Sequence, residues 1–134
     1  QEANLQPFAE YLDCRVEEAC RLLFSTPPEQ RPTAIVSGDP AVLYIQREAL
    51  RMGLSLPGDL SLVGIDSIST GIYANPPLTS VDMRSDEVAD ATIQLLLERL
   101  SRPSMAYRKI EISPQLIIRE SVARLEPSQA TTLR

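Results

Sequence analysis

The chain is organised around residues 61–81, SLVGIDSISTGIYANPPLTSV, where a short apolar run ends in an acidic residue and a polar loop. The apolar run is short and rich in β-branched side chains, which predicts a strand buried on both faces. Gly64 interrupts it, as glycine does where another group closely approaches a strand backbone. Asp66 follows at the carboxyl end of the strand, where open parallel sheets bind ligands. The sequence therefore predicts a functional site at Asp66.

The segment upstream of this strand predicts a strand and a helix. Residues 33–37 form a second short apolar run. Asp39 followed by Pro40 is a preferred N-cap and first helical position, and apolar spacing extends this helix to about Met52. A strand, a helix and a strand in this order predict a right-handed crossover between parallel strands. The fold class is therefore α/β.

The other elements predicted from apolar spacing are two helices and two short strands, at residues 13–24, 85–100, 109–112 and 115–120. Asp13 and Ser85 are the predicted N-caps of the two helices. The strand at 109–112 is expected to be half-exposed, because its apolar residues alternate with charged ones. The polar residues 127–134 are expected to fray.

Composition and charge exclude several classes of function. Hydrophobic residues make up 43% of the chain and charged residues 23%, as in ordinary globular proteins. The net charge is −5, and the loops carry no basic cluster, so this part is not expected to hold nucleic acid itself. No apolar run approaches the roughly 20 residues that span a bilayer, so no membrane association is expected.

The reactive side chains give no sign of catalysis. The sequence has no histidine, which excludes histidine-based acid–base chemistry and histidine–metal sites. Cys14 and Cys20 lack the spacing of a redox or zinc motif and are expected to be ordinary thiols. No nucleophile–base pair or phosphate-binding glycine loop occurs, so no enzymatic activity, cofactor or metal is expected.

Four motifs, in order, resemble the LacI/GalR family of bacterial transcription regulators. They are PTAI at 32–35, ALRMGLSLPGDLSLVG at 49–64, GID at 64–66 with PPLTSV at 76–81, and LIIRES at 116–121. Each motif alone is weak, but the ordered set is specific and covers about residues 32–122.

The resemblance implies a periplasmic-binding-protein-like effector domain of type I, with two doubly wound parallel-sheet subdomains between which the chain crosses. On this mapping residues 1–81 belong to the C-terminal subdomain, 82–112 supply a helix and a strand of the N-terminal subdomain, 113–126 return, and 127–134 form a tail. The resemblance also implies a piece that starts after the DNA-binding helix-turn-helix. The apolar face of the helix at 85–100 would then need another partner, either this subdomain or a second chain.

The resemblance also implies an effector site. Asp66 matches an acidic residue that accepts hydrogen bonds from the effector, often from sugar hydroxyls, and a carboxylate supplies two strong acceptor oxygens. Asp39 matches the acidic residue of an Asn-Asp motif in which Gly38 replaces the ligand-contacting Asn. For Asp39 a helix-capping role is favoured over ligand contact. Ser67 and Tyr73 are further candidates for the cleft, but for both of them a position in a solvated loop is favoured.

In the family, the helix that follows Asp39 contributes to the dimer interface. Leu43, Tyr44 and Arg47 are therefore candidate homodimer contacts. The alternative for Leu43 and Tyr44 is that they face the sheet as core.

The expected function is the effector-binding and dimerisation part of a cytoplasmic repressor that contacts DNA only through a separate N-terminal domain. One alternative is a periplasmic sugar-binding protein of an ABC transporter, which a secretory signal upstream would reveal. A weaker alternative is a fragment of an α/β enzyme, which would need an active-site carboxylate pair elsewhere.

Overall fold

The structure is a computed structural model that describes residues 15–124. Its helices are α1 (Val16–Ser25), α2 (Asp39–Arg51) and α3 (Ser85–Ser101), and its strands are β1 (Ala34–Val36), β2 (Ser61–Ile65), β3 (Thr79–Asp82) and β4 (Gln115–Ile117). Single 3-10 turns occupy Pro28–Gln30 and Ser69–Tyr73. The predicted cap Asp13, the thiol of Cys14 and the tail at 127–134 lie outside the described residues.

The four strands form one sheet in the order β1-β2-β3-β4. The first three are parallel, with Val36 paired to Val63 and Val63 paired to Thr79. β4 runs antiparallel to β3. The predicted α/β class with a parallel sheet is thus confirmed, and the carboxyl ends of three strands meet at one edge.

One face of the sheet carries the core. α1 packs beside α2, and α2 covers β2. The buried apolar side chains of this layer are Cys20, Leu23, Phe24, Val42, Ile45, Ala49, Leu60, Leu62 and Leu78. On the opposite face Val36, Leu116 and Ile118 are exposed, Ile118 by 77%. Within residues 15–124, therefore, helices cover only one of the two faces that a doubly wound sheet buries.

α3 stands apart from this core. It has 17 residues, none of them buried. Its exposed apolar side chains are Val88, Ile93, Leu96, Leu97 and Leu100. The expectation that the C-terminal subdomain itself would cover this face is therefore wrong for the described chain, and packing against a second chain stays a prediction.

Two predicted strands differ from the observed ones. Residues 105–114 form no strand, so the strand predicted at 109–112 is wrong. A strand needs a neighbour to satisfy its backbone groups, and none lies beside this segment in the described chain. The strand predicted at 115–120 is confirmed only for 115–117. Beyond it, the amide of Arg119 donates to the hydroxyl of Thr79 (2.9 Å) rather than to a strand carbonyl.

The predicted N-cap of α3 is also wrong. Ser85 is already helical, and the capping position belongs to Arg84, whose φ of 55° is left-handed. The Arg84 amide donates to Asp82 Oδ1 at 2.8 Å. The carboxylate of Asp82 therefore stabilises the turn into the helix, whereas the capping position itself makes no side-chain hydrogen bond.

Ser121 attaches the final segment to the amino ends of two parallel strands. Its side chain is fully buried. The hydroxyl donates to the Leu62 carbonyl (2.6 Å) and accepts from the Thr79 amide (2.8 Å), while the Leu62 amide donates to the Ser121 carbonyl (2.8 Å). Residues after β4 thus return to the amino ends of β2 and β3.

Among the described residues, no helix combines the length and the hydropathy that crossing a bilayer requires.

Candidate functional site

The loop that follows β2 has an unusual backbone. Asp66 has φ 96° and Ser67 has φ 49°, both in the left-handed region that residues other than glycine rarely occupy. The side chain of Asp66 is exposed at the carboxyl edge of the sheet. Such strained residues persist only where the surroundings fix them, and they cluster at ligand sites.

Neighbouring elements hold this loop at three consecutive amides. The Asp66 amide donates to the Val81 carbonyl (2.9 Å), the Ser67 amide to Ser80 Oγ (3.0 Å), and the Ile68 amide to Asp39 Oδ2 (2.8 Å). Two of the three acceptors come from β3 and one from the start of α2. The left-handed conformation is therefore fixed from two sides.

Asp39 does not have its predicted role as an N-cap. Gly38 occupies that position, and Asp39 is the first residue of α2. The Asp39 side chain is 0% exposed, and its Oδ1 accepts the Ser80 hydroxyl at 2.6 Å. Oxygen atoms of a buried carboxylate are stable only when they are hydrogen-bonded, and the positive end of the helix dipole favours this one further. Asp39 therefore links α2 to β3 and to the loop instead of capping its own helix.

Gly64 makes room for this carboxylate. A Cβ atom at position 64 would lie 1.9 Å from Asp39 Oδ1 and 2.9 Å from Leu78 Cδ2. The close approach expected from a glycine inside the strand is confirmed, and the approaching group is the Asp39 carboxylate.

Apart from Tyr73, the predicted ligand residues lie at one edge of the sheet. Gly38 follows β1, and Asp66 and Ser67 follow the adjacent parallel strand β2. Gly38 and Ser67 are half-buried. Tyr73, at the end of the second 3-10 turn, is 86% exposed. Effector contact by these residues stays a prediction.

Sequence reasoning missed two polar residues that shape the site. Ser80 is fully buried on β3 and bridges the loop to Asp39, and Gln46 on α2 donates from Nε2 to the Pro76 carbonyl at 2.7 Å. A serine within a buried strand, or a glutamine on the inner face of a helix, indicates an obligatory hydrogen bond. That signal was available in the sequence.

The candidate dimer residues lie on α2. Leu43 and Tyr44 are partly buried and pack against the core, as their alternative interpretation required. Arg47 is exposed, and its guanidinium lies 4.7 Å from the centroid of the Tyr44 ring. A role of these residues in a homodimer stays a prediction.

Cys20 is a buried thiol rather than a nucleophile. Burial, followed by the charges of Glu48 and Glu17, raises its pKa to about 11. The thiolate is therefore scarce at neutral pH. No group of acidic or sulfur side chains within residues 15–124 could hold a metal ion.

A cavity of about 340 Å³ lies at the other end of the sheet. Its walls include Phe24 of α1, Thr33 before β1 and Leu60 before β2. Because Thr33 and Leu60 directly precede parallel strands, whereas Asp66 follows one, the cavity is separated from the loop at Asp66.

The parallel sheet, with the loop at Asp66 held at its carboxyl edge, has the architecture of open α/β domains, a class whose ligand sites in general lie where parallel strands end. Within that class, the chain belongs to the periplasmic binding protein-like domain family, whose model matches residues 3–122.

Curated relatives and solved structures agree with this assignment. The chain is 32% identical over 101 residues to the HTH-type transcriptional repressor PurR of Vibrio campbellii, and 30% identical over 105 residues to the ribose operon repressor of Escherichia coli K12. These alignments cover 75% and 78% of the chain, but only 30% and 31% of the relatives. A LacI family regulator of Enterococcus faecalis V583, solved with bound ribose, has a TM-score of 0.75 at 28% identity, over 83% of this chain and 40% of that one.

The resemblance to LacI/GalR regulators predicted from the four motifs is therefore confirmed. The chain spans about a third of the length of these curated relatives. The relatives are transcription regulators rather than enzymes.

Proposed function

We propose that this chain is the effector-binding part of a LacI-type transcriptional repressor, and that Asp66 contacts the effector. The observation that carries the proposal is the exposed carboxylate of Asp66 at the carboxyl edge of a parallel sheet, in a left-handed conformation held from two sides. The effector class is a sugar or a related small polar metabolite. A carboxylate supports this class because it accepts two hydrogen bonds from adjacent hydroxyl groups.

The relatives support the regulator over a periplasmic transport protein or an enzyme. The curated relatives reported above are named as repressors, and one of them is the ribose operon repressor. Ribose is bound in the Enterococcus faecalis regulator, which makes it the first probe to test.

Regulation then follows from a difference in affinity. In the proposed mechanism, residues 82–112 belong to a second subdomain, and the effector binds between the two. A ligand that prefers one arrangement of subdomains shifts the population towards it, and a separate N-terminal domain that binds DNA responds. We place this regulator in the cytoplasm, as a homodimer that uses Arg47 on the outer surface of α2 and the exposed parts of Leu43 and Tyr44.

Calorimetric titration of the full-length protein with D-ribose, sucrose and a nucleoside tests the site. Asp66→Ala is expected to weaken binding of the recognised ligand about 10- to 100-fold, the cost of a hydrogen bond to a charged group. Asp59→Ala is the matched control, because Asp59 is exposed in the turn before β2, at the opposite end of the sheet. Equal affinity in wild type and Asp66→Ala would remove Asp66 from the site.

A further inference from the structure

The loop at Asp66 receives its geometry from a side chain that does not belong to it. The positive φ angles of Asp66 and Ser67 are unfavourable for residues with a Cβ. The loop can therefore keep this shape only while its amides stay bonded. Two of the three bonds depend on Asp39, one directly and one through Ser80.

The direction of donation along this network is fixed. The Ser67 amide donates to Ser80 Oγ, so the Ser80 hydroxyl has its proton free to donate to Asp39 Oδ1. The other oxygen of Asp39 accepts the Ile68 amide. Every bond at Asp39 is thus accepted, and an ionised carboxylate is the side chain of this size that accepts at both atoms.

We propose that Asp39 is a positioning residue for effector binding: its buried carboxylate fixes the amides of Ser67 and Ile68 and thereby presents Asp66 in its binding conformation. This inference rests on the proposed function of Asp66, but Asp39 itself need not touch the effector. Preorganisation of this kind raises affinity because the free loop has already been ordered.

Asp39→Asn separates this role from simple packing, because it preserves the size of the side chain. The amide can still accept from Ile68, but its NH₂ group then faces Ser80 Oγ, which needs an acceptor for its proton. The full-length protein with this change is expected to bind D-ribose about tenfold more weakly. Asp59→Asn, the same chemical change at the exposed turn before β2, is expected to leave the affinity unchanged.

A double-mutant cycle with Asp66→Asn measures the coupling between the two residues in effector binding, which a general structural role of Asp39 would not produce. If Asp39 acts through Asp66, the loss caused by Asp39→Asn is much smaller in the Asp66→Asn background than in wild type. An equal loss in both backgrounds would overturn the proposal.

Hydrogen exchange measured by mass spectrometry, without ligand, distinguishes failure of this inference from failure of the proposed function. In Asp39→Asn, exchange is expected to speed up at least fivefold in peptides that cover residues 66–70 and to stay unchanged in peptides from α3. If wild type binds none of the sugar probes, the proposed function fails, and this measurement alone judges the positioning role. Unchanged exchange at 66–70 would overturn it. If Asp39→Asn does not fold, Ser80→Ala, which removes the link to Ser67, is judged by the same criteria.

Discussion

α2 and α3 are both amphipathic helices of one chain. Within residues 15–124, however, only α2 of the two buries its apolar face. α2 buries Val42, Ile45 and Ala49 against β2, whereas the longer α3 buries no residue. An apolar stripe indicates that a helix packs against another apolar surface, but it does not indicate which part of the chain provides that surface. For α2 the surface is the strand that follows it in sequence. For α3 no such surface lies within the described residues.

The largest loss of stability is expected from truncating a side chain in the core between α2 and the sheet. Leu62 of β2 is fully buried, and Leu62→Ala should lower the free energy of unfolding by about 2–5 kcal/mol, through lost burial and a residual cavity. Leu97→Ala on α3, where the side chain is 61% exposed, should change it by less than about 0.5 kcal/mol. Urea denaturation of the 134-residue chain measures both. Similar losses would show that α3 is covered after all.

The next largest loss of stability is expected from Gly64→Ala, which adds a methyl group next to the Asp39 carboxylate. In Gly64→Ala the new Cβ overlaps Asp39 Oδ1, and relief of that overlap should cost about 1–3 kcal/mol in the free energy of unfolding. Gly38→Ala is the matched control, because its Cβ would meet only Pro40 Cδ, at 4.0 Å. Thermal denaturation compares them, and equal melting temperatures would contradict the close approach at position 64.

Removing the hydroxyl of Ser121 tests how firmly the return segment is attached. Ser121→Ala leaves the buried Thr79 amide without its acceptor and should cost about 1–2 kcal/mol in the free energy of unfolding. Ser101→Ala, which removes an exposed hydroxyl at the end of α3, should cost close to nothing. Urea denaturation is again the measurement, and two equal values would mean that Ser121 contributes no more than a surface serine.

The smallest effect on stability is expected from ionisation of the Cys20 thiol, which also determines how fast this thiol reacts. With a pKa raised to about 11, the Cys20 thiol should react with iodoacetamide at pH 8 far more slowly than a Cys placed at the exposed position 97, both measured with Cys14→Ser. The ordinary thiol pKa is 9.0, so between pH 9 and 11 the folded chain keeps a proton that the unfolded chain loses. Stability should therefore fall as pH rises through this window. Equal alkylation rates would place Cys20 at the surface.

The strands and helices next to residues 61–81 could be predicted because their signals are local. A short apolar run, a proline at the start of a helix and a glycine in a strand each act on the adjacent backbone. The strand predicted at 109–112 failed because alternation describes a strand only when a neighbour is present to pair with it.

The site was predicted only in outline for the same reason. Asp66 could be located from its place at the end of β2, but the partners of Asp39 lie 29 and 41 residues away along the chain. An acidic residue before a helical proline fits a cap locally. Only the folded structure shows that its oxygens bond to Ser80 of β3 and to the Ile68 amide.

The antiparallel pair of β3 and β4 has a consequence for the architecture of the chain. Because Asp82 pairs with Gln115, the segment 83–114 leaves the sheet and returns to it at neighbouring points, about 5 Å apart. Residues 83–114 are thus an insertion between the two strands of one antiparallel pair. A two-residue turn between Asp82 and Gln115 would therefore join β3 to β4 without changing the order of the strands.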